Sequence, residues 1–162
     1  MLLPLHLLVL ASISHAETPA RPPTPIGPAQ LVCPEGWALS ARGEPVVLAV
    51  ECGQDVLTSC SAVAERALAE TATTHFVAEQ QSMTAQGVGP KAILEQGLLP
   101  GGVHRGLISR SPHEGKVYRL AIYSLVVGAE AVVVSCSARD DATFDTLLPT
   151  FDALGASLQP RG

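Results

Sequence analysis

The sequence predicts an α+β domain in which an antiparallel sheet of about five to six strands packs against a long central helix and a C-terminal helix. From Ser59 to Met83 there is no Gly or Pro, and alanines and other apolar residues recur at helical spacing. From Lys116 to Val127 apolar and mixed residues alternate, which is typical of a strand covered mainly on one face. A final stripe of Phe and Leu at spacings of three and four predicts a core-packed helix.

Residues 1–16 form a predicted export signal. The apolar run from Leu2 to Ile13 is about a dozen residues long, shorter than the roughly 20 that a membrane-spanning helix needs. Small side chains at Ser14 and Ala16 match a signal-peptidase site, so the mature chain should begin at Glu17. No Lys or Arg precedes the apolar run, which leaves a short uncleaved anchor as the alternative. No Cys follows closely enough to accept a lipid anchor.

A proline-rich segment follows the signal. Residues 17–30 contain five prolines, which favour extended conformations without ladder hydrogen bonds. We therefore predict a flexible linker over 17–30 and a single α+β domain over 31–160, a size suited to one hydrophobic core.

The first elements of the domain are short. Leu31 to Cys33 is an apolar run that Pro34 ends, and Trp37 to Leu39 follows a turn. Val46 to Cys52 reads as a buried strand, so two or three antiparallel strands should open the fold. The predicted long helix comes next and ends at the glycines and proline of residues 86–90.

The second half predicts a β-meander and a helix. After a break at 98–102, strands are expected at Val103–Ser109, Lys116–Val127 and Ala131–Ser137, with a hairpin turn at 112–115. Asp140 or Asp141 should cap the last helix. Because Pro149 lies inside the apolar stripe, either a short turn precedes a helix that begins at Pro149, or one helix kinks there.

Composition excludes several classes of protein. A net charge of −5 does not suit the neutralisation of nucleic-acid phosphates, so no nucleic-acid partner is expected. The hydrophobic fraction of 47% is far above the disordered range. One Trp, two Tyr and three Phe leave little material for stacking on sugars or bases.

Four cysteines follow the signal: Cys33, Cys52, Cys60 and Cys136. In an oxidising compartment an even number indicates disulfides, and four cysteines allow three connectivities. We predict Cys52 with Cys60 and Cys33 with Cys136. Buried free thiols are one alternative, and metal binding is disfavoured because no close C-x-x-C pair is present.

The remaining chemistry is sparse, and we predict no catalytic residues, no metal site and no cofactor. Beyond the signal only His75, His104 and His113 could act as a base or a ligand, and no serine lies in a G-x-S-x-G turn. The candidate binding patch lies on the meander, where Arg105 and Arg119 should share a sheet face beside His104 or Tyr123. Such a patch would bind an anionic partner; the alternative is that these are ordinary solvated residues of the strands.

The order of elements resembles a known family. The run Pro34-Glu35-Gly36-Trp37 after a first strand, then a helix, a meander and a terminal helix around Leu148-Pro149, is similar to the PsbP-like α/β/α sandwich, which includes small exported bacterial proteins of the DcrB type. The resemblance implies a central antiparallel sheet with helices on its faces. It implies no activity, because such folds serve as photosystem subunits, transport-related factors and secretion adaptors.

The sequence therefore favours an exported, non-catalytic binding or interaction module in the periplasm or the extracellular space. Its partner would be a protein or another envelope component, without stable membrane insertion once the signal is cleaved. Two alternatives stay open: an adaptor or chaperone for other exported proteins, and a hydrolase-type enzyme whose site carries no recognisable motif.

Overall fold

A central antiparallel sheet carries one helix on each face. The computed structural model describes residues 21–44, 47–110 and 117–162. Within them a seven-stranded sheet, a three-stranded sheet and two helices form, which confirms the predicted α+β class. The elements are β1 Thr24–Ile26, β2 Ala29–Leu31, β3 Ala38–Glu44, β4 Val47–Asp55, β5 Thr58–Arg66, α1 Ala72–Ala85, β6 Ala92–Leu98, β7 His104–Arg110, β8 Tyr118–Val127, β9 Glu130–Ser137, α2 Asp141–Ala156 and β10 Gln159–Pro160.

The large sheet has the strand order β3-β4-β5-β9-β8-β7-β6, and every pairing in it is antiparallel. Two meanders, β3-β4-β5 and β6-β7-β8-β9, therefore meet where β5 pairs with β9. The small sheet has the order β1-β2-β10 and brings the two ends of the described chain together.

The face that α2 covers, which we call the α2 face, holds the larger core. Phe144, Phe151 and Leu154 of α2 pack with alternate residues of β5, β8 and β9 and with Trp37. The buried Ile26 and Ala29 of the small sheet belong to the same cluster. Burial of this continuous apolar layer stabilises the sandwich.

The opposite face, which we call the α1 face, has a much smaller apolar cluster. It consists of Phe76, Ile108, Ile122 and Val133, with Leu120 packed against it. The rest of the contact between α1 and the sheet is polar, because His75, Gln80, His104 and Ser124 are also buried.

The predicted long helix over Ser59–Met83 is wrong in its first half, which forms β5. Cys60 and Ala62 also recur with a period of two, and both point into the core. β5 pairs with β4 on one side and β9 on the other, and this tertiary pairing outweighs the helix propensity of its alanines. The helix itself begins after Thr71, whose side chain forms a capping box with Thr74.

Strands form in two regions where none was predicted. Residues 24–31, most of them in the predicted linker, make β1 and β2, whose Ile26 and Ala29 are fully buried. β6 forms between the helix and the meander, and within the described ranges it pairs only with β7. The predicted signal and the first residues of the linker lie outside the described residues.

The meander and the last helix agree with their predictions. β7, β8 and β9 match the three predicted strands, and the predicted turn at 112–115 lies outside the described residues. α2 is one helix with Pro149 inside it, and the Asp140 side chain accepts the Thr143 N–H at 2.7 Å. No helix in the described ranges has the length and apolar character that crossing a bilayer requires.

Candidate functional site

The candidate binding patch is partly brought together on the α2 face. Arg105 and Tyr123 are direct partners across β7 and β8. Arg105 donates to Asp152 of α2 from Nε at 2.6 Å and from Nη2 at 3.2 Å, and Tyr123 Oη donates to the same carboxylate at 2.7 Å. Burial, reinforced by the bond to Asp152, raises the pKa of Tyr123. Asp152 therefore joins α2 to two neighbouring strands.

Arg119 lies on the same face but binds α2 at its other end. Its Nε donates to Asp141 at 2.9 Å and its Nη1 to Asp145 at 2.8 Å, and its guanidinium lies 4.8 Å from the centre of the Phe144 ring. The sequence thus placed Arg105 and Arg119 on one face correctly. Both guanidinium groups are occupied by carboxylates of the protein, so an anionic ligand would compete with these contacts.

Two open clefts flank these arginines. One of about 330 Å³ lies beside Arg119, Arg139 and Asp140. The other, of about 350 Å³, lies between β6 and α2 and is lined by Glu95, Arg105, Asp152 and residues near them. Each cleft carries both signs of charge, which suits contact with a polar partner better than selective capture of an anion.

His104 lies on the α1 face, away from the other three patch residues. It is the direct partner of Ser124 across β7 and β8, and both side chains are buried. Neither ring nitrogen of His104 nor the Ser124 hydroxyl has a hydrogen-bond partner in the described structure, and the His104 ring stacks on Phe76 at 4.5 Å between centres. Burial lowers the pKa of His104. A Ser–His pair enclosed in this way gives a substrate no access.

The sequence missed a cluster at the edge of the α1 face. Glu65 of β5 meets His75 and Glu79 of α1, and one ligand atom from each lies within 4.8 Å of the others. His75 and Glu79 are four residues apart in the sequence, a spacing that puts both on one face of a helix and could have identified this pair. Glu65 was assigned to the same predicted helix, so its approach from a strand was not foreseen.

The protonation of His75 argues against a metal in this cluster. His75 Nδ1 accepts the Leu68 N–H at 3.1 Å, so in the neutral ring the hydrogen sits on Nε2. Nε2 lies 3.3 Å from Glu65 Oε1 and faces it as an N–H rather than as a lone pair. A metal-ligating histidine needs the reverse arrangement, in which the second nitrogen donates.

Two of these residues, His75 and Glu79, have shifted pKa values. Burial raises the pKa of Glu79 to about 7, with a further increase from Glu65 and a decrease from Arg110. Burial also lowers the pKa of His75, and Glu65 opposes this. At neutral pH the cluster therefore combines an uncharged imidazole with a Glu79 that is close to its midpoint.

Three of the four cysteines lie side by side on neighbouring strands of the large sheet. Cys52 is opposite Cys60, and Cys60 is opposite Cys136. Cys60 and Cys136 form a disulfide, whereas Cys33 and Cys52 carry buried free thiols. The predicted pairing of Cys52 with Cys60 and Cys33 with Cys136 is therefore wrong. Cys60 has a neighbour on each side, and the distance along the sequence does not show which neighbour bonds. The disulfide indicates an oxidising compartment outside the cytoplasm.

The outermost strand β6 is the most open part of the described structure. All seven of its residues are exposed, and they include the apolar Ile93, Leu94 and Leu98. Its register against β7 shifts between Ile93 and Glu95, which indicates a bulge. No strand was predicted here, since neither face of the strand is consistently apolar.

Comparisons with known proteins identify the fold. No family model and no curated protein matches the sequence. The solution structure of cyanobacterial PsbP (CyanoP) from Synechocystis sp. PCC 6803 matches with a TM-score of 0.55 and 14% identity, over 83% of this chain and 87% of that one. A crystal structure from Bacteroides thetaiotaomicron VPI-5482 matches with a TM-score of 0.46 and 14% identity, over 83% of this chain and 46% of that one. The protein therefore has the PsbP-like fold that its order of elements resembles.

Proposed function

We propose that this protein is an exported, periplasmic or secreted, non-catalytic module that binds an extended segment of another polypeptide by strand addition at β6. The Cys60–Cys136 disulfide supports the compartment. The open edge of the large sheet carries the rest of the proposal, because a strand with one unpaired side presents a row of N–H and C=O groups to an incoming chain.

Apart from its bulge, β6 lacks the usual protections of an edge strand. Its seven residues include no Pro and no Lys, and its single charge, Glu95, is held by Arg105 at 2.8 Å. The other edge strand, β3, carries Arg42 and Glu44 in its sequence. The exposed fractions of Leu94 and Leu98 are 53% and 66%, unusually large for leucines in an ordered strand.

The geometry of β6 defines what would bind. Ile93 is opposite Ile108 and Leu98 is opposite His104, so both leave β6 on the α1 face. An incoming strand with apolar side chains at alternate positions would extend this surface, while its main chain bonds to the free edge. Such segments are typical of incompletely folded exported proteins, so the adaptor or chaperone alternative uses the same surface.

Selection from a displayed library of random peptides of about ten residues tests this proposal. We expect the selected peptides to alternate apolar and polar residues and to protect β6 amides from hydrogen exchange. The double variant Ile93→Lys with Leu98→Lys should raise the Kd of a selected peptide roughly tenfold or more.

The matched control is Val56→Lys, since Val56 is 89% exposed at the β4–β5 turn, away from β6. This variant should leave the Kd unchanged. A library that yields no binders, or peptides that bind the double variant as tightly as the native protein, would overturn the proposal.

A further inference from the structure

We infer that Cys33 and Cys52 form a second disulfide in the exported protein, which attaches the N-terminal segment to the large sheet. The inference rests on how the four cysteines are arranged and is independent of the function of β6.

The two free thiols are neighbours in the core of the α2 face. Both are buried, with exposed fractions of 2% for Cys33 and 1% for Cys52, and they belong to one apolar cluster. Burial raises the pKa of the Cys52 thiol, and the neighbouring Cys33 side chain raises it further. Two thiols in contact inside a protein that already contains a disulfide are the ordinary precursor of a second one.

Geometry selects among the three connectivities. Neighbouring strands lie about 5 Å apart, so Cys52 and Cys136, with β5 between them, are separated by about 10 Å. That distance is beyond the span of a disulfide, which excludes Cys52–Cys136 together with Cys33–Cys60. The third connectivity joins Cys52 to Cys60 and therefore Cys33 to Cys136. It would separate Cys33 from Cys52 and Cys60 from Cys136, which are neighbours in the structure. Only Cys33–Cys52 with Cys60–Cys136 joins each cysteine to a neighbour it already contacts.

The chemistry requires an oxidant, for which a disulfide exchange partner of the envelope or a small-molecule disulfide suffices. One cysteine thiolate attacks a sulfur of that disulfide, forms a mixed disulfide and releases one thiolate. The second cysteine then attacks the mixed disulfide, closes the Cys33–Cys52 bond and releases the other thiolate. Two thiol protons are lost, and the external disulfide is reduced to two thiols. Because both cysteines are buried in the fold, closure belongs to the folding stage, before the core excludes the oxidant.

The bond would add a covalent link to a segment that burial and hydrogen bonds already hold against the core. Near Cys33, the Nη1 of Arg21 donates to the carbonyl of Trp37 at 2.8 Å. The Val32 N–H donates to Ser157 Oγ at 2.9 Å. A covalent link from Cys33 to β4 would hold this segment over the core even when these hydrogen bonds open.

The distribution of aspartates allows a direct test. Asp55 lies between Cys52 and Cys60, and no other Asp lies between Cys33 and Cys136. A protease that cleaves before Asp therefore leaves Cys33 and Cys52 on one fragment and Cys60 and Cys136 on the next. The full chain, exported into a bacterial periplasm, is denatured with N-ethylmaleimide, digested without reduction and analysed by mass spectrometry.

We expect two unlinked fragments, neither carrying N-ethylmaleimide and each accepting two alkyl groups after reduction. Maleimide on both Cys33 and Cys52 before reduction would overturn the inference, and so would a disulfide-linked pair of fragments, which both other connectivities produce. In the variant Cys33→Ser a single maleimide should appear, on Cys52, while the second fragment stays oxidised. The mapping of the native chain is decisive even if this variant folds poorly.

Discussion

The two faces of the sheet differ in what they bury. The α2 face buries a continuous apolar core, and its charged groups are paired at the rim, where Asp152 binds Arg105 and Tyr123. The α1 face buries four apolar side chains and nearly as many polar ones, among them His75, His104 and Ser124. Buried polar atoms without partners cost free energy, whereas buried apolar surface supplies it. We therefore expect α2 to be the rigid, stabilising layer and α1 the layer that responds to conditions.

Overpacking gives the largest expected effect. A Cβ on Gly155 would lie 2.1 Å from the Tyr123 ring, and a Cβ on Gly106 would lie 2.5 Å from the Phe76 ring. Tyr123 is fixed by Asp152, whereas Phe76 can move together with α1. Gly155→Ala should thus lower the free energy of unfolding by about 3 kcal/mol and Gly106→Ala by about 1.5 kcal/mol, as measured by urea unfolding. Gly97→Ala, with no atom near the new methyl, is the control. Equal losses of unfolding free energy in the two variants would contradict the expected difference in rigidity between the α2 face and the α1 face.

The pH dependence should come from the α1 face. The pKa of Glu79 is raised from 4.5 to about 7 in the folded protein, so the folded state holds this proton more tightly than the unfolded chain. The resulting stability is complete below about pH 4.5 and is lost as the pH rises through about 7, by at most about 3 kcal/mol. His75, whose pKa is lowered, acts in the opposite direction and reduces stability as the pH falls below its ordinary value of 6.5.

Glu79→Gln should therefore remove most of the decrease in unfolding free energy between pH 5 and pH 8, as measured by urea unfolding at several pH values. Glu70→Gln, an exposed change just before α1, should leave that decrease intact. If Glu79→Gln shows the same pH profile as the native protein, the Glu65–His75–Glu79 cluster is not the source of the dependence.

Two adjacent residues of β8 give the smallest and most direct comparison. Tyr123 faces α2 and donates to Asp152, while Ser124 faces α1 with a buried hydroxyl that has no partner in the described structure. Tyr123→Phe should cost about 1 kcal/mol. Ser124→Ala should be neutral or stabilising by up to about 1 kcal/mol, because it removes only an unpaired polar group. Thermal unfolding of the two variants checks both signs, and a clear loss for Ser124→Ala would show that its hydroxyl is satisfied.

The sequence predicted those elements whose signal is local. The stripe from Phe144 to Leu158 gave α2, and the alternation around Tyr118 to Ile122 gave β8, because one covered face imposes a fixed period on each. The prediction for β5 was wrong because Cys60, Ala62 and Ala64 fit both a helix and a strand. Only the pairing of this segment with β4 and β9 decides between the two. β6 was missed because a strand exposed on both faces has no period to detect.

From the sequence, site residues could be placed only relative to other residues of the same strand or hairpin. Alternation along β7 and β8 led us to expect Arg105 and Arg119 on one face, beside His104 or Tyr123, and the strand register puts Tyr123 there. Their partners Asp141, Asp145 and Asp152 come from a helix after the meander, and no spacing in the sequence connects them. The same limit applies to the cysteines, since Cys136 becomes the neighbour of Cys60 only through the pairing of β5 with β9.

The small sheet has a consequence for the order of folding. β10 pairs with β2, and the Arg161 N–H donates to the Pro28 carbonyl at 2.9 Å, so residues at opposite ends of the described chain complete one sheet. In a chain that emerges N-terminus first, β1 and β2 form a hairpin of three-residue strands that is marginal alone. The small sheet can then close only after β10 has emerged. The N-terminal segment would remain accessible to proteases and oxidants until that moment.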